Sequence, residues 1–158
     1  TRRSGYDVTG RAGQLLSDYW ADGMRSLHGM NVHGFPNLFI LGFSQAANQI
    51  ANVPQNYVEN GLAIGDIISH AESTGASTVE PTAQAEQDWI DFITSTTRGI
   101  RGGMDCTPGY YNNEGRPADR SAQNSSYGAG PVAFFALLDS WRREGSLAGL
   151  DLAQPQHA

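Results

Sequence analysis

The stretch His33-Gly34-Phe35-Pro36-Asn37-Leu38-Phe39-Ile40-Leu41-Gly42 constrains this chain more than any other. Residues 34–37 carry turn chemistry, and Gly42 closes the apolar run 38–41. Four consecutive apolar residues between turn residues predict a strand buried on both faces, as in a parallel sheet. Such a strand cannot satisfy its own edges and needs neighbours. The chain does not obviously encode them, and it begins Thr-Arg-Arg instead of with Met. An α/β fragment of a larger protein is the expectation.

Around the strand the pattern is helical. Asn52 is placed to cap a helix with Pro54 in its first turn, where proline is tolerated. Val53, Tyr57, Ile64, Ile67 and Ile68 give it an apolar face to about His70, despite Gly61 and Gly65. Residues 6–30 read as hairpin or irregular structure, and 71–79 as a small, polar linker. A second helix is expected from near Pro81 through Trp89, Phe92 and Ile93 to about Thr97. Residues 98–127 form a long irregular stretch, of the kind that is usually functional or mobile. Pro131 opens a third helix with Phe134, Leu137, Leu138 and Trp141 on one face. Gly145 ends it, and a short apolar tail covers 147–152. The boundary falls near 72, dividing the chain into 1–72 and 73–158.

Composition removes several function classes. All ten basic residues are Arg, so a Schiff-base lysine, a P-loop lysine and a lysine general base are excluded. The arginines are scattered and the net charge is −6, which argues against a nucleic-acid surface. No apolar run approaches the roughly 20 residues of a membrane span. The single cysteine, Cys106, allows no internal disulfide and no thiolate zinc site, and a buried, inert thiol is its default. A soluble, cytoplasmic protein with no nucleic-acid or membrane partner is expected.

Several constellations bear on chemistry. Gly42-Phe43-Ser44-Gln45-Ala46 after the strand has the outline of a nucleophile elbow, with Ala46 where glycine is expected. A serine hydrolase would need His70 or His157 as base and Asp88 or Asp91 as orienter; a polar loop after a strand is the plainer reading. Gly128-Ala129-Gly130-Pro131-Val132-Ala133 formally matches a dinucleotide fingerprint, with Asp151 about 20 residues on. It lacks a preceding hydrophobic strand, and Pro131 removes a donor, so a glycine-rich helix entry is preferred. His28 and His33 lack a third metal ligand nearby and read as hydrogen-bonded histidines near the strand entry. The segment Cys106-Thr107-Pro108-Gly109-Tyr110-Tyr111-Asn112-Asn113-Glu114-Gly115 combines stacking faces with amides. It suits either closure over a planar, polar ligand such as a nucleotide or a self-packed Ω-type loop.

The string from His33 to Gly42 with Ser44-Gln45-Ala46, the 106–115 segment, and Tyr127-Gly128-Ala129-Gly130-Pro131 through Trp141 to Leu152 appear in that order. Over about residues 4–152 the chain resembles the C-terminal region of Baeyer–Villiger-type flavin-containing monooxygenases. The resemblance implies the last parallel strand and helix of a FAD-binding Rossmann-like domain in 1–72, then a helical, loop-rich C-terminal segment in 73–158. It implies FAD and NADPH as cofactors. The implied reaction converts a small-molecule ketone to an ester or lactone through a C4a-peroxyflavin. It places Gly42, Phe43, Ser44, Gln45 and the helix entry at Asn52 against the flavin ring, with Gln45 bonding its edge. It assigns Tyr110, Tyr111 and Asn112 to a loop folding over NADPH. The chain carries no G-x-G-x-x-G preceded by a strand, no F-x-G-x-x-x-H and no match to the family's catalytic arginine. No catalytic residue is therefore expected within it. The remainder of the same polypeptide is its expected partner, and the isolated chain is expected to be inactive. A non-catalytic module is the remaining alternative beside the hydrolase.

Overall fold

A computed structural model describes residues 5–47, 52–96, 107–108 and 122–154. The expectation of irregular structure before residue 30 holds. A 3-10 turn, Arg11–Gly13, precedes a single helical turn, α1 (Leu16–Tyr19), and isolated bridges pair Thr9 with Leu15 and Leu27 with Asn31. Leu16, Val32 and Phe35 form a small apolar cluster there, backed by Val8, Tyr19, Trp20, Leu38 and Ile40. Gly10 allows a close approach, since a Cβ on it would collide with the Gly34 carbonyl and the Phe35 ring.

Residues 38–41 do not form the expected strand. The Ile40 N–H donates to Met30 O at 2.8 Å and the Leu38 N–H to Phe35 O at 3.2 Å, and no ladder follows. Leu38, Phe39 and Ile40 are half-buried, and Leu41 is 54% exposed. The apolar run is present, but among the described residues no strand pairs with its backbone.

The capping reading at Asn52 holds. Its side chain accepts from the Gln55 N–H at 3.4 Å, and α2 runs Val53–Thr74, four residues beyond the expected end. Gly75, at φ +70°, terminates it in the left-handed conformation that glycine adopts without strain. Asn56, Asn60, Ala63, Ile67 and Ala71 face inward, whereas Val58, Leu62 and Ile68 are exposed. Part of the expected linker is strand. β1 (Thr78–Pro81) pairs antiparallel with β2 (Leu150–Ala153), in the register Thr78 to Ala153 and Pro81 to Leu150. Pro81 therefore ends a strand and does not open a helix.

α3 (Ala83–Thr96) begins at Thr82, whose hydroxyl accepts from the Ala85 N–H at 3.0 Å. α4 (Pro131–Glu144) matches its expected bounds, with Pro131 in the first turn and Gly145 at φ +68° closing it. The preferred reading of 128–133 as a helix entry holds as well. A Cβ on Gly128 would overlap the Thr96 backbone, so the glycine serves close packing against the end of α3. One core joins both sides of the boundary near 72: Met30, Ala46, Ala63 and Ile67 share it with Trp89, Ile93, Phe134 and Leu138.

Candidate functional site

The loop 42–47 and the first turn of α2 are brought together by Asn56. Its amide donates to the Gly42 carbonyl at 2.9 Å, and its backbone N–H donates to Asn52 O at 3.1 Å. A Cβ added to Gly42 would meet only Ile40, at 3.9 Å, so the backbone there is open to approach. The Phe43 ring lies 5.5 Å from Tyr57 of α2, tilted 37°, and Asn52 is exposed at the helix entry. The side chains of Asn56 and Asn60 are fully buried behind this loop and helix. Asn56 Oδ1 and both amide atoms of Asn60 have no partner among the described residues.

Gln45 departs from its expected role. It is fully buried, at φ +59°, and its amide donates to Met24 O at 2.6 Å and Gln123 O at 2.9 Å while accepting from the Ser26 hydroxyl. Both donors are thereby occupied, so the side chain anchors the loop from within and is not free for a ring edge. Its backbone N–H donates to Ser125 O at 2.8 Å, and Ala46 O accepts from the Tyr127 N–H at 2.9 Å. The loop is thus clamped between residues 24–29 and 122–127. On the first side, Gly29 at φ +74° approaches so closely that a Cβ would stand 2.8 Å from Ser44 O.

The hydrolase alternative finds no support. Positive φ falls on Gln45 and not on Ser44, unlike an elbow that presents its nucleophile. Among the described residues no hydrogen bond joins Ser44 to a histidine. Asp88 and Asp91 are held by Gln84 and Gln87, one turn back on α3, at 2.8 and 2.9 Å. Tyr110, Tyr111, Asn112, Cys106 and His157 lie outside the described residues.

Sequence reasoning missed the carboxylates that position this region. Glu86, fully buried on α3, accepts from the His33 N–H at 2.9 Å, Tyr19 Oη at 2.6 Å and Arg25 Nε at 3.2 Å. Glu80 accepts from the Gly34 N–H at 2.8 Å and pairs with Arg11 at 2.7 Å. Burial, then the Glu86 hydrogen bond, raise the Tyr19 pKa above 10.0. Burial works against the Arg25 charge, but contacts with Tyr19 and Glu86 outweigh it and raise its pKa. The signal available in the sequence was Glu86 at an inward position of α3, four before Ile90 and seven before Ile93.

The expectation for the two histidines holds for one. His33 Nδ1 bonds to Pro81 O at 2.9 Å. His28 is 7% exposed and sits edge-on between Trp89 and Trp141, with ring centroids at 4.8 and 5.1 Å and no partner for Nδ1 among the described residues. Burial lowers its pKa to about 4. No helix among the described residues is long and apolar enough to cross a membrane.

No family model matches the chain. Individual proteins do. It is 44% identical over 153 residues to pentalenolactone D synthase of Streptomyces exfoliatus, covering 96% of the chain and 26% of the relative. It is 39% identical over 150 residues to FAD-binding monooxygenase hmp7 of Hypomyces subiculosus, covering 94% and 25%. It is 35% identical over 158 residues to Baeyer-Villiger monooxygenase ATR8 of Stachybotrys chlorohalonatus, covering 96% and 24%. Among solved structures, the polycyclic ketone monooxygenase of Thermothelomyces thermophila superposes with a TM-score of 0.86 at 33% identity, over 97% of this chain and 25% of that one. Cyclohexanone monooxygenase of Rhodococcus sp. Phi1, bound to NADP+, shares the fold at a TM-score of 0.76 and 22% identity, over 94% and 27%. The chain spans about a quarter of the length of the relatives it matches. Over nearly its whole length, the chain is related to FAD-binding monooxygenases of the Baeyer–Villiger type.

Proposed function

We propose that this chain is the C-terminal portion of a flavin- and NADPH-dependent monooxygenase that converts a ketone to an ester or lactone. The observation that carries the reading is the 44% identity over 96% of the chain to an enzyme-length relative. Residues 1–72 complete the FAD-binding domain, with the apolar run 38–41 supplying the edge of a sheet whose other strands come from the rest of the polypeptide. Residues 73–158 form the helical segment behind it, and Tyr110, Tyr111 and Asn112 are assigned to NADPH.

The residues at the loop and helix entry fit a flavin. Gly42 leaves its backbone open to approach, Phe43 and Tyr57 offer an aromatic wall, and the positive end of the 22-residue helix α2 lies at the same entry. Gly42, Phe43, Ser44 and Asn52 would hold the ring, whereas Gln45 acts through the loop it anchors. FAD, once reduced by NADPH, supplies the oxygen-activating chemistry. This chain's own part is electrostatic and steric: the positive end of α2 favours negative charge on the ring, and the buried clamp fixes the loop before the cofactor arrives.

The test is oxygen insertion by the protein that carries this chain. Loaded with FAD and given NADPH, it should convert cyclic ketones to products heavier by one oxygen, while the 158-residue chain alone should neither retain FAD nor turn over. A loaded protein that oxidises NADPH yet leaves every ketone in a broad panel unchanged would overturn the reading.

A further inference from the structure

Away from the loop and helix entry, an open cleft of about 670 Å³ runs between α3 and α4. Both helices present the same spacing to it. Ala85, Asp88, Trp89 and Phe92 lie at i, i+3, i+4 and i+7 on α3, and Leu137, Ser140, Trp141 and Glu144 do so on α4. This spacing puts four residues of each helix on one face. The floor is aromatic and nearly dry, with Trp89 6% and Trp141 8% exposed and His28 edge-on between them. The rim is acidic, since Asp88 and Glu144 are both exposed.

Two features distinguish this cleft from a gap in packing. Trp89 Nε1 and His28 Nδ1, both on residues that line it, are buried without a partner among the described residues. Buried polar atoms are otherwise almost always bonded, so the floor holds unused hydrogen-bonding capacity. His28 also holds a positive φ of 54°, a conformation uncommon for residues with a side chain and concentrated at functional sites. The volume lies within the range of small-molecule pockets.

Charge selects the ligand class. No arginine is among the described lining residues, and burial keeps the His28 imidazole uncharged near neutral pH. The neighbouring cations of α4 are engaged elsewhere, Arg142 with Asp66 at 2.6 Å and Arg143 with Asp139 at 2.9 Å. Asp88 accepts only from the neutral amide of Gln84, at 2.8 Å, among the described residues. Among the described residues, both rim carboxylates are thus without a paired cation above an aromatic floor. Aromatic faces beneath carboxylates attract an organic cation.

We propose that this cleft binds an amphiphilic organic amine, its apolar body on the Trp89–Trp141 floor and its ammonium at the rim bearing Asp88 and Glu144. The site is separate from the flavin loop and stands whether or not the monooxygenase reading does.

Three probes with one body and different heads test it: 3-phenylpropylammonium, 3-phenylpropan-1-ol and 3-phenylpropionate. Binding is followed on the chain by the indole N–H signals of its three tryptophans. The amine should shift Trp89 and Trp141 but not Trp20, and should bind about tenfold more tightly than the alcohol, with no binding of the carboxylate. The exposed-site double variant Asp88→Asn with Glu144→Gln should bring the amine to the alcohol's affinity while leaving the fold intact. Equal binding of amine and alcohol by the unaltered chain would overturn the proposal. So would an absence of shifts at millimolar amine, or a cation preference that survives in the double variant.

Discussion

The backbone N–H of His33 donates to the buried carboxylate of Glu86 at 2.9 Å. One residue on, the Gly34 N–H donates to Glu80 at 2.8 Å. The turn that launches the apolar run is therefore held by two carboxylates, one from α3 and one from β1, both distant in sequence. A backbone donor bonded to an ionised carboxylate makes a stronger contact than one bonded to a neutral acceptor. These contacts fix where residues 38–47 leave the core, and so where the candidate flavin loop stands.

Glu86 is the more consequential of the two because it is fully buried and takes three donors. Glu86→Ala leaves the Arg25 charge and two polar groups uncompensated, and should destabilise the chain by about 3–5 kcal/mol. Glu86→Gln keeps the shape and one acceptor and should cost about 1–2 kcal/mol. Denaturant unfolding of the two variants checks the order; equal losses would mean that the retained shape and acceptor contribute nothing and that the charge carries the whole effect.

How much of this was legible in the sequence follows from the range of each interaction. The caps at Asn52 and Gly145 and the proline starts of α2 and α4 are local signals, and the structure carries them where expected. β1 and β2 are four residues each and pair across about 70 intervening positions, so neither shows a period of its own. Residues 38–41 carry the composition of a buried strand, but a ladder is a property of two segments and this one has no described partner. At the loop, Gln45 is expected at the ring edge because the resemblance places residues 42–45 against the flavin and its amide is polar. Its bonds to Met24, Ser26 and Gln123 depend on tertiary placement that spacing does not reveal.

His28 makes stability depend on pH. Folding lowers its pKa from 6.5 to about 4 through burial, so between these values the unfolded chain binds a proton that the folded chain does not. This contribution is fully present above pH 6.5, is lost as pH falls toward 4, and amounts to about 3 kcal/mol. His28→Asn tolerates the positive φ and should remove this part of the slope. Unfolding free energies measured from pH 7.5 to 4 for both chains decide it; parallel curves would contradict the assignment.

Gly29 is required twice, by its φ of +74° and by its approach to Ser44 O. Gly29→Ala forces a Cβ to 2.8 Å from that carbonyl and 3.1 Å from the Ala46 Cβ. Strain and overpacking together should cost about 2–4 kcal/mol. Because Ser44 and Ala46 are backbone neighbours of the clamp, the displacement falls on the loop. In the protein loaded with FAD, the flavin visible spectrum should shift as well. A variant that melts earlier but keeps an unshifted spectrum would separate this contact from the ring.

Gln45 supplies the sharpest distinction between anchoring a loop and touching a cofactor. Gln45→Ala removes an amide with three partners and leaves the Met24 and Gln123 carbonyls and the Ser26 hydroxyl buried without it. Desolvated, unpaired acceptors cost about 1–3 kcal/mol each, partly recovered where Gln123 Nε2 keeps its own bond to Met24 O at 3.3 Å. The expected loss is about 3 kcal/mol in the chain without any cofactor. Gln45→Glu should be as damaging or worse, since the carboxylate would face two carbonyls that need donors. Thermal unfolding in the absence of FAD is the deciding measurement. If both variants melt with the unaltered chain, and only the loaded protein changes, Gln45 serves the ring directly and its bonds within the clamp are dispensable.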